Sequence, residues 1–441
     1  MDMNLKQATW VALLMSATAW TAELPSEVCD VAVIGGGSAG ICAAVQSGRA
    51  GAKTVLLEAA SQVGGNTTTG GVNFPGLFHA WGRQVVSGVG WELVTNTVAL
   101  SGGTLPDFSQ PTGKSHWKHQ VTVNIPLFVA LAEEMLTKAG VTIHYQAAPM
   151  RIEKMPEGWR VLTAAVGDTR TIVCKQLVDC TGNGAVAGLL GLERLREEER
   201  QPGSFAYTLR SNADLKKLDA KVLQARFNEA VKTGVVQRSD CRWSVMQFLL
   251  SGGNVGNYVE GADNSTADAR TDANLRGRAS MLRMYRWLKT VPGLEKIELI
   301  GMSPEVGVRE TYRVMGEVLI TYDDYVGGRR WDDSVCYAFY PVDLHNQKTG
   351  VQPAHLKEGI VPTVPLRALI PKGSRNLLVA GRCLSSDRLA NAGLRVQATC
   401  MATGQAAGAA AALAARNGVT PGEVPVAELK SLLCSQGAIV P

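Results

Sequence analysis

The chain has little surplus charge. Its 44 Lys and Arg stand against 39 Asp and Glu, mixed along 441 residues for a net of +5, so the concentrated basic face that nucleic acid requires is missing. The one local basic cluster, KSHWKH at 114–119, reads as a solvated loop. Nine cysteines are present, at 29, 42, 174, 180, 241, 336, 383, 400 and 434, with no CxxC pair. That spacing excludes zinc-type sites and dithiol exchange, and no metal is expected. The odd count in a chain this large argues against a disulfide framework, so most of these cysteines read as small core residues. No membrane span is expected, because the Gly/Ala-rich segment MATGQAAGAAAALAA at 401–415 is too short and is interrupted by Gln405. There is no internal repeat. A second nucleotide fingerprint is also missing, since SGGNVGN at 251–257 has no helical pattern after it.

What is present begins with 46% apolar content, enough for a large core and two or three domains. Lys6, the apolar run ATWVALLMSATAW and the small residues Ala17-Thr18-Ala19 have the layout of a secretory signal over residues 1–22. No twin arginine precedes the run, so a general secretory route is expected, with the mature chain periplasmic or secreted. Read instead as an apolar tail, the segment leaves the chain cytoplasmic.

From residue 28 the pattern alternates short β-branched runs with helix-length segments. VAVIG, SAGICAAVQSGRAG and TVLLEAA form a β-α-β unit of a parallel sheet. Further strands are expected at 141–146, 159–165, 171–180 and 375–381, and a helix at 126–140 ending in Gly140. Between 191 and 365 the texture changes: charged segments read as helices (LREEER, LKKLDAKVLQARFNEAVK, LRGRASMLRMYRWLK) alternate with polar loops such as GNYVEGADNSTADARTD. The expected architecture is α/β, a Rossmann-like parallel-sheet domain with an inserted α+β substrate or cap domain. The sheet domain would be built from 28–190 and 366–441, with the insertion at 191–365.

Gly35-x-Gly37-x-x-Gly40 follows a predicted strand and opens a predicted helix, the context in which this spacing means dinucleotide binding. The first glycine permits the tight turn, the second lets backbone approach a pyrophosphate, and the third lets helix and strand pack closely. Ser38 and Ala39 between them begin the helix, whose N–H groups and dipole favour an anion. Glu58 ends the second strand, 18 residues beyond Gly40, where a carboxylate accepts from ribose hydroxyls. Immediately after it, SQVGGNTTTGGVN at 61–73 suits a loop running along an extended cofactor, with Gly64 and Gly65 close to it and Asn66, Thr67 and Thr69 as donors. LVDCTGNGAVA at 177–187 and NLLVAGRCLSSDRLANAGLRVQATCMATGQAAG at 376–408 each run a strand into a glycine turn.

Those blocks, with VGVRETYRVMGEVLIT at 306–321 and YPVDLH at 340–345, resemble the FAD-dependent oxidoreductases of the glutathione-reductase and fumarate-reductase superfamily, from about residue 28 to the C-terminus. The resemblance implies bound FAD. It places Gly35, Gly37, Gly40 and Glu58 on the ADP half, Gly64, Gly65, Asn66 and Thr67 along the flavin, and the Ala148 backbone on adenine. Thr181 and Gly182 form a second turn beside the ADP, and Gly381, Arg382 and the helix start near Ala398 reach the pyrophosphate and the ring. Positions 183 and 185 depart from the pattern, carrying Asn and Ala where relatives often have Asp. The clustered cysteines of iron-sulfur relatives are absent, as is the histidine loop that attaches flavin covalently.

The expected function is hydride transfer between flavin and a small organic substrate, with the electron partner left open: the substrate itself, oxygen, a quinone or another protein. The alternatives are an NAD-dependent dehydrogenase using the first fingerprint, or an exported, non-catalytic dinucleotide-binding protein. The helix near Ala398 would stabilise the anionic reduced ring through its dipole, with Arg395 adding a full charge. Arg309 and Arg313, four residues apart, read on their own as a solvated salt-bridged helical face. The resemblance turns Arg309 toward the flavin to grip an anionic substrate or stabilise an oxyanion. Asp343 and His345 share one face of an extended segment, where His345 is either structural or the chain's general acid or base. Cys383 and Cys400 read as packing residues.

Overall fold

The computed structural model describes residues 26–441 apart from 111–114, 212–213, 254–256, 347–349 and 352–353. The signal read at 1–22 lies outside the described residues. The first unit runs β1 (Ser26–Ile34), α1 (Ser38–Arg49), β2 (Thr54–Glu58), α2 (Val89–Leu100), α3 (Ile125–Lys138), β3 (Thr142–Tyr145), β4 (Ala148–Met155), β5 (Gly158–Ala165) and β6 (Asp168–Asp179). After these come β7 (Tyr207–Arg210), α4 (Ala220–Lys232), α5 (Ala267–Leu288), β8 (Glu298–Met302), β9 (Leu377–Val379) and α6 (Gln397–Asn417).

The main sheet has the order β3-β2-β1-β6-β5-β4, with β9 also paired to β6. Its pairs β3/β2, β2/β1, β1/β6 and β6/β9 are parallel, whereas β4, β5 and β6 form an antiparallel meander. One long strand makes both possible. Residues 168–174 of β6 pair with β5, and residues 177–179 continue past its end to pair with β9. From Val31 on, the side chains of β1 alternate between two cores, Val31 and Val33 on one face and Ala32 and Ile34 on the other. Both faces are covered, so the strand reads as a continuous apolar run.

Helices α1 and α6 cover the first face. They cross closely because α6 presents glycine where α1 presents carbonyls: a Cβ on Gly404 would stand 2.1 Å from the Ala39 carbonyl oxygen, and one on Gly408 2.1 Å from that of Ala43. The alanine- and glycine-rich segment that is too short for a membrane is therefore the buried central helix, and among the described residues no helix is long and apolar enough to cross a bilayer. A separate core forms between residues 205 and 308, where Leu223 and Phe227 of α4 meet Met284 and Trp287 of α5. Of the segment read as a cap at 191–365, the apolar residues from Ile320 to Val364 pack instead with α6 and α1.

Several local readings change. LREEER is not a helix. Arg194–Leu195 pairs as a strand with Arg313–Val314, and the charges that follow are drawn into tertiary ion pairs, Arg196 with Asp263 and Glu197 with Arg313. The polar loop read at 256–272 ends early, because Thr266 caps α5 by accepting from the Ala269 amide at 3.1 Å. Arg309 and Arg313 do not share a helix, since the chain from Val306 to Tyr312 runs without helix or strand. Arg313 is 3% exposed, gripped by both Glu197 oxygens and donating to the Ser386 carbonyl. KSHWKH is not purely solvated either: His116 stacks edge-on against Tyr340, and His119 against Phe108.

The α1/α6 crossing makes a stability prediction. Gly408→Ala forces a methyl against backbone that cannot yield, and should cost about 1–3 kcal/mol in urea unfolding. Gly327→Ala, where a Cβ would meet nothing within 4 Å, should stay within about 0.5 kcal/mol of the parent. Equal stability of the two variants would contradict the packing described.

Candidate functional site

The carboxyl ends of β1, β2, β6 and β9 open on the same edge of the sheet, and β1 and β6 flank the point where the strand order reverses. In an open α/β sheet this is where ligands bind. At the end of β1, Gly35 takes φ +96°, and a Cβ there would lie 2.6 Å from the Cys180 carbonyl oxygen. Gly40 stands against the Gly35 carbonyl so closely that a Cβ would overlap it. Gly37 is different: its φ is −69°, and an added Cβ would meet nothing nearer than the Gly65 Cα at 4.0 Å. Glycine is needed at 35 and 40 for the protein's own backbone, whereas at 37 it leaves open space. Helix α1 has no side-chain cap and no acid in its first turn, so its first amides remain available to an anion.

Glu58 steadies this turn. Its Oε2 accepts from the Gly36 amide at 2.6 Å and its Oε1 from the Ala60 amide at 2.7 Å. Burial raises its pKa, opposed by those two amides. The loop after β2 docks onto the same turn, Gly64 N–H donating to the Gly36 carbonyl at 2.7 Å. Behind it, Thr67 donates to Gln397 Oε1 at 2.7 Å, and Gln397 Nε2 donates to the Val72 carbonyl at 2.7 Å, so the first residue of α6 clips the loop in place. Asp179 shapes the second turn, accepting from the Thr181 amide and hydroxyl at 3.0 and 2.6 Å and from the Ala187 amide at 3.2 Å. Its full burial raises its pKa against those bonds.

Between these turns runs a cleft with about 1360 Å³ of atom-free space, counting its open side. Of the residues expected from the sequence, Gly35, Gly37, Ser38, Ala39, Glu58, Gly65, Asn66, Ala148, Thr181, Gly182, Gly381, Arg382 and Arg395 face it. Gly40, Gly64, Thr67 and Ala398 stand behind the wall; the Ala398 amide donates to the Gly76 carbonyl at 3.4 Å. The sequence reading missed Asn264, Arg270, Glu305 and Val306, which also line the cleft. Three buried polar atoms of cleft residues have no partner: Thr69 Oγ1, Asn183 Oδ1 and Arg395 Nε. Buried polar atoms are normally satisfied. An elongated polar ligand laid from Ala148 past the α1 turn to Arg395 would supply what they lack, so a dinucleotide fits the residues present.

Arg395 also belongs to a second group beside the cleft. Its Nη2 donates to the Asp343 carbonyl at 2.9 Å and lies 3.6 Å from the Asp343 carboxylate. That carboxylate holds His345 Nε2 at 2.9 Å, and His345 Nδ1 meets the Tyr258 hydroxyl at 2.7 Å. With Asp343 accepting and the tyrosine donating, the imidazole is neutral, protonated on Nε2. Burial, with Arg309 next in effect, lowers the His345 pKa to about 4. Both ring nitrogens are thus engaged, and Tyr258, absent from the sequence reading, ends the chain of hydrogen bonds. Arg309 lies 5.5 Å from the Tyr258 ring centre, bonded to the Pro202 carbonyl and the Ser204 hydroxyl. Burial, and then Arg395, lower its pKa to about 10. Cys400 faces the cleft as a thiol pushed up to about 12 by burial, and Cys383 is buried and likewise raised. Among the described residues no cluster could hold a metal ion.

Comparison with known proteins puts a family to this geometry. The family described as FAD dependent oxidoreductase matches residues 30–433. No curated protein is similar enough to match. Among solved structures, a geranylgeranyl bacteriochlorophyll reductase-like protein of Thermoplasma acidophilum aligns with 93% of this chain and 83% of its own, at 11% identity and a TM-score of 0.41. The THI4 protein of Thermovibrio ammonificans aligns with 59% of this chain and 86% of its own, at 16% identity and TM-score 0.28. OxyS anhydrotetracycline hydroxylase of Streptomyces rimosus aligns with 43% of this chain at 18% identity and TM-score 0.30, and the alignment spans only 39% of that enzyme. The family match covers nearly the whole chain, from the first strand of the sheet to the last helix, and on it the chain belongs to the FAD-dependent oxidoreductases, with FAD as its cofactor.

Proposed function

We propose that the protein transfers a hydride between FAD and a small organic substrate that carries an anionic group, and that Arg309 and Arg395 hold that group. The observation behind this reading is a charge imbalance. Two guanidinium groups, Arg309 and Arg395, act on one carboxylate, Asp343, which only Arg395 approaches to ion-pair distance among the described residues, while His345 stays neutral. Among the described residues no carboxylate pairs with Arg309, and the buried Nε of Arg395 has no partner. Leaving a buried charge uncompensated is costly, and a substrate carboxylate would complete the set with charge-assisted bonds.

In this reading the cofactor lies along the cleft. The amides of Gly37, Ser38 and Ala39 seat the diphosphate, with Gly35 and Gly40 shaping the turn. Glu58 meets ribose and Ala148 adenine. Gly65 and Asn66 follow the flavin side, with Gly64 and Thr67 supporting them, while Thr181, Gly182, Gly381 and Arg382 wall the middle. The α6 start near Ala398 supports the ring. Residues 205–308 cover it as the cap within the segment 191–365. Bound FAD supplies the hydride donor or acceptor. The chain's own residues manage the accompanying proton. In oxidation, a substrate hydroxyl or amine gives its proton to Tyr258 Oη as the tyrosine proton moves to His345 Nδ1, and Asp343 stabilises the imidazolium; reduction reverses these moves.

Two kinds of titration bear on this reading. Holoenzyme titrated with acetate and malonate should show a saturable change in its flavin absorption. Arg395→Met should weaken that response about tenfold or more, as loss of a charged hydrogen bond requires; an unchanged response in the variant rejects the anion grip. In NMR titration the His345 ring should remain neutral until pH falls to about 4. Asp343→Asn should lower that midpoint further, because the carboxylate is what favours the charged ring. A midpoint near 6.5 in the parent would show that the relay is not assembled.

A further inference from the structure

We infer that Arg270, brought to the cleft by the cap-side helix α5, grips the diphosphate of FAD and so ties the cap core to the sheet domain when the cofactor is bound. The turn after β1 meets the diphosphate with neutral amides, and the nearest acid, Glu58, adds negative charge. Two cations, Arg270 and Arg382, line the same cleft. Arg382 donates to the Gly182 carbonyl at 2.7 Å, to the Val308 carbonyl, and to Asn264 Oδ1 at 3.4 Å. All three acceptors are neutral, and no carboxylate pairs with Arg382 among the described residues.

Among the described residues the Arg270 guanidinium is held only by Glu305, at a loose 3.6 Å. It is close enough to both Glu58 and Arg382 to influence their ionisation, favouring the carboxylate of one and opposing the charge of the other. It lines the same cleft as Gly37, Glu58, Gly182 and Arg382.

Its position is built rather than incidental. Thr266 caps the first turn of α5. One turn beyond Arg270, Asn274 Oδ1 accepts from the Val306 amide at 2.8 Å, while the Glu305 amide donates to the Thr69 carbonyl at 3.1 Å. The strip 305–306 is thereby fixed both to the cap helix and to the loop that runs along the cleft. A diphosphate bearing two negative charges is a stronger partner for a guanidinium than one carboxylate at 3.6 Å. On binding, Arg270 exchanges Glu305 for phosphate oxygens.

The inference rests on the diphosphate sitting at the α1 turn, and the test separates the two. Apoprotein is titrated by calorimetry with FAD, ADP and adenosine, and ADP is competed against FAD. The Arg270 side chain is 37% exposed on a helix that tolerates alanine, so Arg270→Ala and Arg270→Gln should both fold. Each should lose about tenfold or more in affinity for FAD and ADP, with adenosine affinity unchanged. Glu305→Gln, which frees the guanidinium, should tighten FAD binding about threefold. Parental affinity for ADP in both Arg270 variants overturns the inference, as does a parallel loss for adenosine. Failure of ADP to compete with FAD on the parent removes the seating itself.

Discussion

The amides at the start of α1 must face open space while their own backbone stands against three other pieces of chain, and the rest of the site is arranged around that requirement. Gly35 and Gly40 let the turn close on Cys180 and on itself. Glu58 accepts from the Gly36 amide and fixes the turn to the end of β2. The loop after β2 then leans on Gly36, and Gln397 at the head of α6 clips that loop from behind. The glycines of α6 allow that helix to reach α1 closely enough for this to happen. A change at the crossing is therefore felt at the cleft, because the same two helices carry both.

Charge gives the cleft its direction. Along the dinucleotide stretch, the neutral amides of the α1 turn share the cleft wall with two guanidinium groups, Arg270 and Arg382. Past Arg395, the second cluster holds two guanidinium groups against one carboxylate, with a histidine kept neutral by burial and by its cationic neighbours. The first excess suits a diphosphate, and the second suits a smaller anion placed beside the ring. Arg395 touches both regions, so in the proposed reading it would join the cofactor seat to the substrate seat.

How much of this could be read from the sequence depended on how local the signal was. The β1-α1-β2 unit, its glycines and Glu58 lie within thirty or so residues and follow rules of spacing. The structure places Gly35, Gly37 and Glu58 on the cleft. Tyr258, Asn264, Arg270 and Glu305 carry no such spacing, since they arrive from a distant segment and matter only through where α5 docks. The start of α5 was hidden because ADARTD looks polar all round; the Thr266 cap was the one available sign. Arg309 and Arg313 suggested a helix through a four-residue interval, yet the chain there is irregular, and Arg313 is consumed by Glu197. LREEER misled for the same reason, as its charges serve tertiary partners rather than a helix face. His345 was visible as a titratable group, but its engagement on both nitrogens required knowing what stands next to it.

The central claim is that the α1 turn holds the FAD diphosphate through backbone approached across Gly37. Gly37→Ala tests it most directly, because the position has ordinary backbone angles and an added methyl meets nothing nearer than 4.0 Å within the protein. The variant should unfold at the parent's temperature as apoprotein yet bind FAD at least about tenfold more weakly, as a methyl in a filled contact demands. Parental FAD affinity in a folded Gly37→Ala protein would contradict the account.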